Sequence, residues 1–323
     1  MRVTPFLLLI VIAVLGFDAA VTGQQPVATP PPWAYPINTP GGPAAPQDDG
    51  TPKRVPGTDV ALTLTQLRDL FNAPDWRPES HPPAPEVVLR GRRPDVRACG
   101  YCHYPSGQGR PENSGLAGLP AAYIVQQMAD FKSGARKSSE PKMGPPNAMI
   151  AVAKAATDAE VKAAAEYFAS FPFKPWIKVV ETKTVPKTRV AGMYIPIEGG
   201  GTEPIGQRIL EMPEDVARAE LRDSGSGFIA YVPEGSLKRG QALVTTGGGK
   251  AVQCGVCHGA DLRGIGPVPG IAGRSPSYVA RQLFDLKNGS RKGPWSDLMK
   301  AAVASLTLGD MVDIAAYTAS RVP

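Results

Sequence analysis

Two pentapeptides carry the chemistry in this 323-residue chain. Cys99-Gly-Tyr-Cys102-His103 and Cys254-Gly-Val-Cys257-His258 share one Cys-x-x-Cys-His spacing, and together they use all four cysteines and two of the three histidines. That spacing is the attachment signature of a c-type haem: the two thiols add across the vinyl groups, and the adjacent His is placed under the iron as proximal ligand. Two disulfides are the ordinary use of four cysteines in an exported chain, but disulfides do not require a His after each pair. Zinc is the other alternative, and two Cys with one His per site lack the usual fourth ligand.

Two such sites need two domains, and an internal repeat marks them. Subtracting 99 from 254 gives an offset of 155, which maps GLAGLPAAYIVQQMADFKSGARK (115–137) onto GIAGRSPSYVARQLFDLKNGSRK (270–292). Identities at that offset include Gly118/Gly273, Tyr123/Tyr278, Gln127/Gln282, Asp130/Asp285, Lys132/Lys287, Gly134/Gly289 and Arg136/Arg291. This is a duplicated domain. Each copy predicts a helix with Pro120 or Pro276 in its first turn and Gly134 or Gly289 as its stop. The predicted buried stripes are Ile124-Met128-Phe131 and Val279-Leu283-Leu286. A second helix in each copy opens on a capping box, Thr157 with Glu160 and Thr307 with Asp310. The first runs through Ser170 with Val161, Ala164 and Phe168 on one face, and Met311, Ile314 and Thr318 take those places in the second. The offset here is 150, so the intervening loop loses 155 − 150, five residues, at small entropic cost.

An electron-transfer haem commonly completes its coordination with Met. The first copy offers Met128, Met143 and Met149. Met128 lies on the stripe, equals Leu283 and reads as core; Met311 aligns with Val161 and does the same. Met149 and Met299 correspond at the 150 offset, whereas Met143 has no counterpart, so Met149 and Met299 are the predicted sixth ligands. His81, in PESHPPAPE, reads as a solvated loop residue because its prolines deny it rigid support. Arg136 and Arg291 follow a helix stop, where surface is the usual place; retained by the repeat beside a haem with two carboxylates, they are candidates for propionate contact.

The remainder of the chain must position these residues. Apolar residues make up 42% and charged residues 20%, enough for packed cores, while 35 Gly and 35 Pro rule out an uninterrupted helical bundle. Arg2 precedes a 13-residue apolar run from Pro5 to Phe17, the length of a signal-peptide core and short of the ~20 residues that span a bilayer. Residues 1–23 are therefore read as a signal peptide, with an uncleaved N-terminal anchor and membrane association as the alternative. Ten prolines between 24 and 60 predict a tether without a core. A short helix and loop over 61–85 lead into a first domain, 86–172; a second spans 235–323. Between them, 173–234 alternates in a β manner at WIKVVETKTV, AGMYIPI and GFIAYVP, with a short helix over Pro213–Arg222.

Cys-x-x-Cys-His, a Gly-x-Ala-Gly ahead of a helix bearing Tyr and Gln, then Met before a capped final helix: this order resembles the two-domain diheme class I cytochromes c of the bacterial periplasm, over 86–172 and 235–323. The resemblance implies a mainly α fold of two class I cytochrome c domains, here joined by a long, partly β linker that departs from the family's short connector. It implies two covalently bound c-type haems and a periplasmic carrier of single electrons between a dehydrogenase and an acceptor such as a terminal oxidase. In that family a Pro before the Ala-Gly supplies the carbonyl that holds the proximal His. Pro269 matches it, and Ser114 stands there in the first domain. Gly follows the haem His in the family; Gly259 conforms and Tyr104 does not. The reading is an exported carrier with irons ligated by His103/Met149 and His258/Met299 and no substrate converted. A diheme peroxidase and a fixed haem subunit of a dehydrogenase are the alternatives. Residues 235–323 carry 11 Lys+Arg against 5 Asp+Glu, a formal +6, and 86–172 carry 11 against 8, a formal +3. An acidic partner facing the C-terminal domain is therefore expected.

Overall fold

The computed structural model describes residues 28–38, 40–41 and 46–323; residues 1–23, read above as a signal peptide or anchor, lie outside the described residues. A capping box between Thr63 and Gln66 opens α1 (Leu64–Arg68) ahead of the first domain. That domain comprises α2 (Glu86–Leu89), α3 (Cys99–His103), α4 (Ala121–Ser133), α5 (Gly144–Ala155) and α6 (Asp158–Ala169). The linker follows with β1 (Ile177–Thr182), β2 (Thr184–Pro186), β3 (Thr188–Ala191), β4 (Met193–Pro196), β5 (Thr202–Pro204), β6 (Leu210–Pro213), α7 (Val216–Glu220) and β7 (Phe228–Pro233). The second domain has α8 (Ser236–Thr246), α9 (Gly255–His258), a hairpin of β8 (Gly264–Ile265) and β9 (Val268–Pro269), α10 (Pro276–Lys287), α11 (Ser296–Val303) and α12 (Leu308–Ala319).

Local chemistry sets the boundaries of the repeated helices. α4 stops at Gly134, which takes the left-handed conformation at φ +77°, a region that costs glycine least. Both capping boxes form, so Thr157 and Thr307 each satisfy an orphan amide of α6 and α12 while Glu160 and Asp310 reach back to the cap. Ile124, Ala164 and Phe168 bury into the first core, and Leu283, Leu286, Met311 and Ile314 into the second. α8 crosses α12 at Gly240, where a Cβ would lie 2.0 Å from the Asp313 carbonyl oxygen, so only glycine allows the approach. The first domain's counterpart is the single turn α2. Pro82, Pro83 and Pro85 precede it, and each proline biases the residue before it away from helix.

The linker is a sheet structure that touches both domains. β1 runs parallel to β7 in the register Ile177↔Phe228, and β6 pairs antiparallel with the other edge of β7. β2 pairs with β5, and β3 with β4. Toward the first domain, Arg222 donates to the Tyr101 carbonyl at 2.9 Å and lies 3.9 Å from that ring's centroid. Trp76 donates from Nε1 to the Leu221 carbonyl at 2.7 Å. Toward the second, the buried Glu211 of β6 accepts from Ser275 and Ser277 at the start of α10. The helix expected over Pro213–Arg222 is the shorter α7, started by an Asp215 cap.

Three expectations are corrected. The Pro-rich segment 24–60 contributes core: Ala34, Tyr35 and Val55 are buried, and Tyr35 packs among the α10 and α12 side chains of the second domain. Its hydroxyl donates to Asp285 at 2.7 Å, and Arg281 donates to the Ala34 carbonyl. Two turns, Ala34 N–H to the Pro31 carbonyl at 2.9 Å and Tyr35 N–H to the Pro32 carbonyl at 3.2 Å, aim the side chains inward, and the prolines leave the segment less backbone entropy to lose. His81 is not solvated; its side chain is 4% exposed. Nε2 faces Asp75 at 3.2 Å, and Nδ1 faces the Tyr167 hydroxyl and the Pro82 carbonyl at 2.9 Å. Burial works to lower its pKa, but those acceptors outweigh it and the imidazole sits above its usual value. Met128 is half-buried on the cavity described below rather than packed in the core.

Tyr35 gives a direct test of the strap. Tyr35→Phe is expected to cost about 1 kcal/mol by removing one hydrogen bond, and Tyr35→Ala about 3–5 kcal/mol by emptying a packed site. Denaturant titration of the holoprotein checks the order, and two variants as stable as wild type would contradict the burial.

Candidate functional site

Each pentapeptide folds as one helical turn, α3 or α9, with Cys254 as the cap of α9. Residues three apart on a helix share a face, so both thiols of a pair and the following imidazole are presented together. All four thiols are free. In the first domain they open on a cleft of about 530 Å³, within the usual range of roughly 300–1,000 Å³ for small-molecule and cofactor sites. Cys99, Cys102, His103, Met128 and Met149 line it, with Val152 and Phe168 among its apolar walls. Burial pushes the Cys99 thiol up to about 12 and raises Cys102 and Cys254. Among the described residues no three His, Cys, Asp or Glu side chains are grouped to hold a metal ion directly.

The histidines are set for ligation. His103 donates from Nδ1 to the Ser114 carbonyl at 2.7 Å, and His258 from Nδ1 to the Pro269 carbonyl at 2.8 Å. A ring whose Nδ1 carries the proton keeps the Nε2 lone pair for a metal. Burial lowers both pKa values against the raising effect of those carbonyls and so keeps the rings neutral. Ser114 thus offers the same carbonyl as Pro269. Gly259 after the second His adopts φ +85°, and Tyr104 is forced to φ +61° in the same place. That region is nearly glycine-only and costs a larger residue about 1–3 kcal/mol. Tyr104 recovers part of this by burial against Trp176 of the linker, edge to face at 6.2 Å.

Met149 projects from α5 onto the cleft, and Met299 occupies the matching position on α11, half-buried against the second core. Each stands eight residues before its capping threonine, 157 − 149 and 307 − 299. Met143 is fully buried in the second domain's core cluster and does not line the cleft. Around the second pentapeptide, His258 is buried, Cys254 is half-buried and Cys257 is exposed.

Arg136 and Arg291 meet each other. Their backbones form an antiparallel bridge between the domains, flanked by Lys137 N–H to Ser290 O and Lys292 N–H to Ala135 O, both at 2.8 Å. Arg136 donates to Gln127 at 2.8 Å, Gln282 at 2.9 Å and the Tyr278 hydroxyl at 2.8 Å. Arg291 donates to Gln127 at 2.8 Å, Gln282 at 3.1 Å and the Tyr123 hydroxyl at 3.4 Å. The residues that the repeat keeps identical are therefore the two halves of a pseudo-twofold interface. Against the raising effect of burial, the two guanidiniums hold the Tyr278 phenol below its usual pKa. The cavity beside His103 and Met149 continues to Arg136, Tyr278 and Gln282, and Arg291 Nε is a buried donor without a partner. A haem fits this donor set: thiols, a neutral imidazole and a thioether around an apolar cleft, with the Arg136 cation on the adjoining cavity.

No protein-family model matches the chain. Over 233 residues it is 27% identical to a thiosulfate dehydrogenase electron acceptor of Stutzerimonas stutzeri, covering 71% of this chain and 82% of that protein. Over 69 residues it is 36% identical to cytochrome c-554(548) of Halomonas halodenitrificans, covering 21% of this chain and 83% of that protein. Reduced recombinant cytochrome c4 from Pseudomonas stutzeri superposes with a TM-score of 0.45 at 20% identity, over 69% of this chain and 93% of that one.

Proposed function

The chain belongs to the class I cytochromes c as a two-domain, diheme electron carrier, and from that premise we propose that His103/Met149 and His258/Met299 are the axial pairs of its two covalent haems. The observation that carries the proposal is the paired one-turn helices, each with its imidazole Nδ1–H on a carbonyl one loop away. When bound, haem supplies the one-electron iron couple. The chain's own residues do the rest. Cys99, Cys102, Cys254 and Cys257 hold the group covalently, and His103 and His258 present fixed, neutral Nε2 atoms. Met149 and Met299 would supply thioethers, which favour the reduced iron. The apolar walls exclude water, and Arg136 and Arg291 offset carboxylates at the domain junction. On this reading the protein transfers electrons and converts no substrate.

The donor is proposed to be a dehydrogenase, in keeping with the name of the Stutzerimonas relative. The site of action is the periplasm; among the described residues no helix is long and apolar enough to cross a membrane. The +6 of residues 235–323 favours an acidic partner for the C-terminal domain. Rate constants for reduction by that partner are expected to fall as salt rises toward a Debye length of ~8 Å. Stopped-flow reduction across a salt series checks this. A rate indifferent to salt favours a fixed subunit, and a rate that rises with salt reverses the sign of the patch.

A further inference from the structure

Arg274 joins two loops that belong to different domains. It follows Gly273 just ahead of α10, and its side chain is buried. Nε donates to the Gly270 carbonyl at 2.8 Å, Nη1 to Gly115 at 2.9 Å and Nη2 to Ala117 at 3.0 Å. The guanidinium lies 4.5 Å from the centroid of Phe173. Gly115 follows Ser114, whose carbonyl holds His103; Gly270 follows Pro269, whose carbonyl holds His258. One planar fork thus grips both proximal loops, each one residue beyond the carbonyl that orients an imidazole. At the 155 offset the first domain has Leu119, a buried core residue. The grip is therefore not a product of the duplication.

The charge matters as much as the fork. Arg274's partners are neutral carbonyls, and among the described residues it makes no ion pair. Burial brings its pKa down to about 10, which leaves it a cation at neutral pH. A buried cation near an iron favours the state with one positive charge fewer, the reduced one, and in a low dielectric the effect reaches well past contact distance. The hydrogen bond to a ligating imidazole, in turn, fixes its tautomer and orientation.

We propose that Arg274 is a positioning residue shared by the two electron-transfer sites: it clamps the loops that hold His103 and His258 and lends one charge to both, so a single side chain sets two potentials together. This rests on His103 and His258 being the proximal ligands.

The test uses holoprotein of the full chain, Arg274→Gln and Arg274→Lys. Lysine keeps the charge but is a point donor that cannot grip three carbonyls. Arg274→Gln is expected to weaken the preference for the reduced state at least tenfold at both haems, 59 mV for a one-electron couple, while Arg274→Lys changes either potential by less than that. Both variants are expected to speed hydrogen exchange at the Nδ1 positions of His103 and His258, followed by NMR of the reduced protein. A shift confined to the second haem overturns the proposal, and so do unchanged potentials and exchange with only a lower melting temperature. Should Arg274→Gln not fold, faster exchange at both histidines in Arg274→Lys, or its absence, decides. If the ligand reading is at fault instead, the two Nδ1 protons of the wild type will lack haem ring-current shifts whatever Arg274 does.

Discussion

Met149→Ala is expected to abolish the near-red methionine-to-iron band of one haem and to lower that haem's potential by on the order of 0.1 V, given that axial ligation spreads haem potentials over about 0.8 V. Met299→Ala is expected to do the same to the other. The prediction is sharp because three methionines of the first domain have distinct surroundings. Met149 and Met128 border the cleft, from α5 and α4 respectively, and Met143 is sealed in the second domain's core. Met143→Ala should cost about 2–5 kcal/mol of stability as a cavity and leave both bands in place. Met128→Ala should also leave both bands. Near-infrared spectra with a redox titration of each variant separate these outcomes. Loss of a band in Met128→Ala would break the correspondence between α5 and α11, and a native high-spin haem that turns over peroxide would promote the peroxidase reading.

Arg136→Met is expected to destabilise the holoprotein by about 1–3 kcal/mol, because it leaves the buried Tyr278 hydroxyl without its donor and Gln127 and Gln282 with one donor fewer. Arg291→Met should behave alike. Each guanidinium shares the Gln127 and Gln282 carbonyl oxygens with the other, at 2.8 to 3.1 Å. The double variant, which alone strips both acceptors of every guanidinium donor, should therefore cost more than the sum by about 0.5–3 kcal/mol. Denaturant midpoints of the two single variants and the double form the cycle. Strict additivity would mean that the arginines act on separate parts of the molecule, contrary to the shared acceptors.

What was legible in the sequence was local. Cys-x-x-Cys-His, the Thr157 and Thr307 boxes and the Gly134 stop are specified within five residues each, and each forms where the spacing puts it. The offset of 155 exposed the identities at Tyr123, Gln127 and Arg136 but not their purpose, since a repeat shows which residues are retained and not that they face their own copies. Tyr35 and Asp285 are 250 positions apart, and no periodicity links a proline-rich strap to a helix so distant. His81 is hidden for a related reason: its prolines imply looseness, while Asp75 and Tyr167, which pin it, come from other elements. β1 and β7 alternate as expected, yet their parallel pairing depends on some fifty residues between them and is invisible to a period of two.

The central claim is that both pentapeptides carry haem in one chain. Intact-mass spectrometry of the protein after acid-acetone extraction tests it most directly. The account predicts a polypeptide that keeps its colour and gains two covalent haems; a chain with one haem or none, or with zinc in their place, would contradict it.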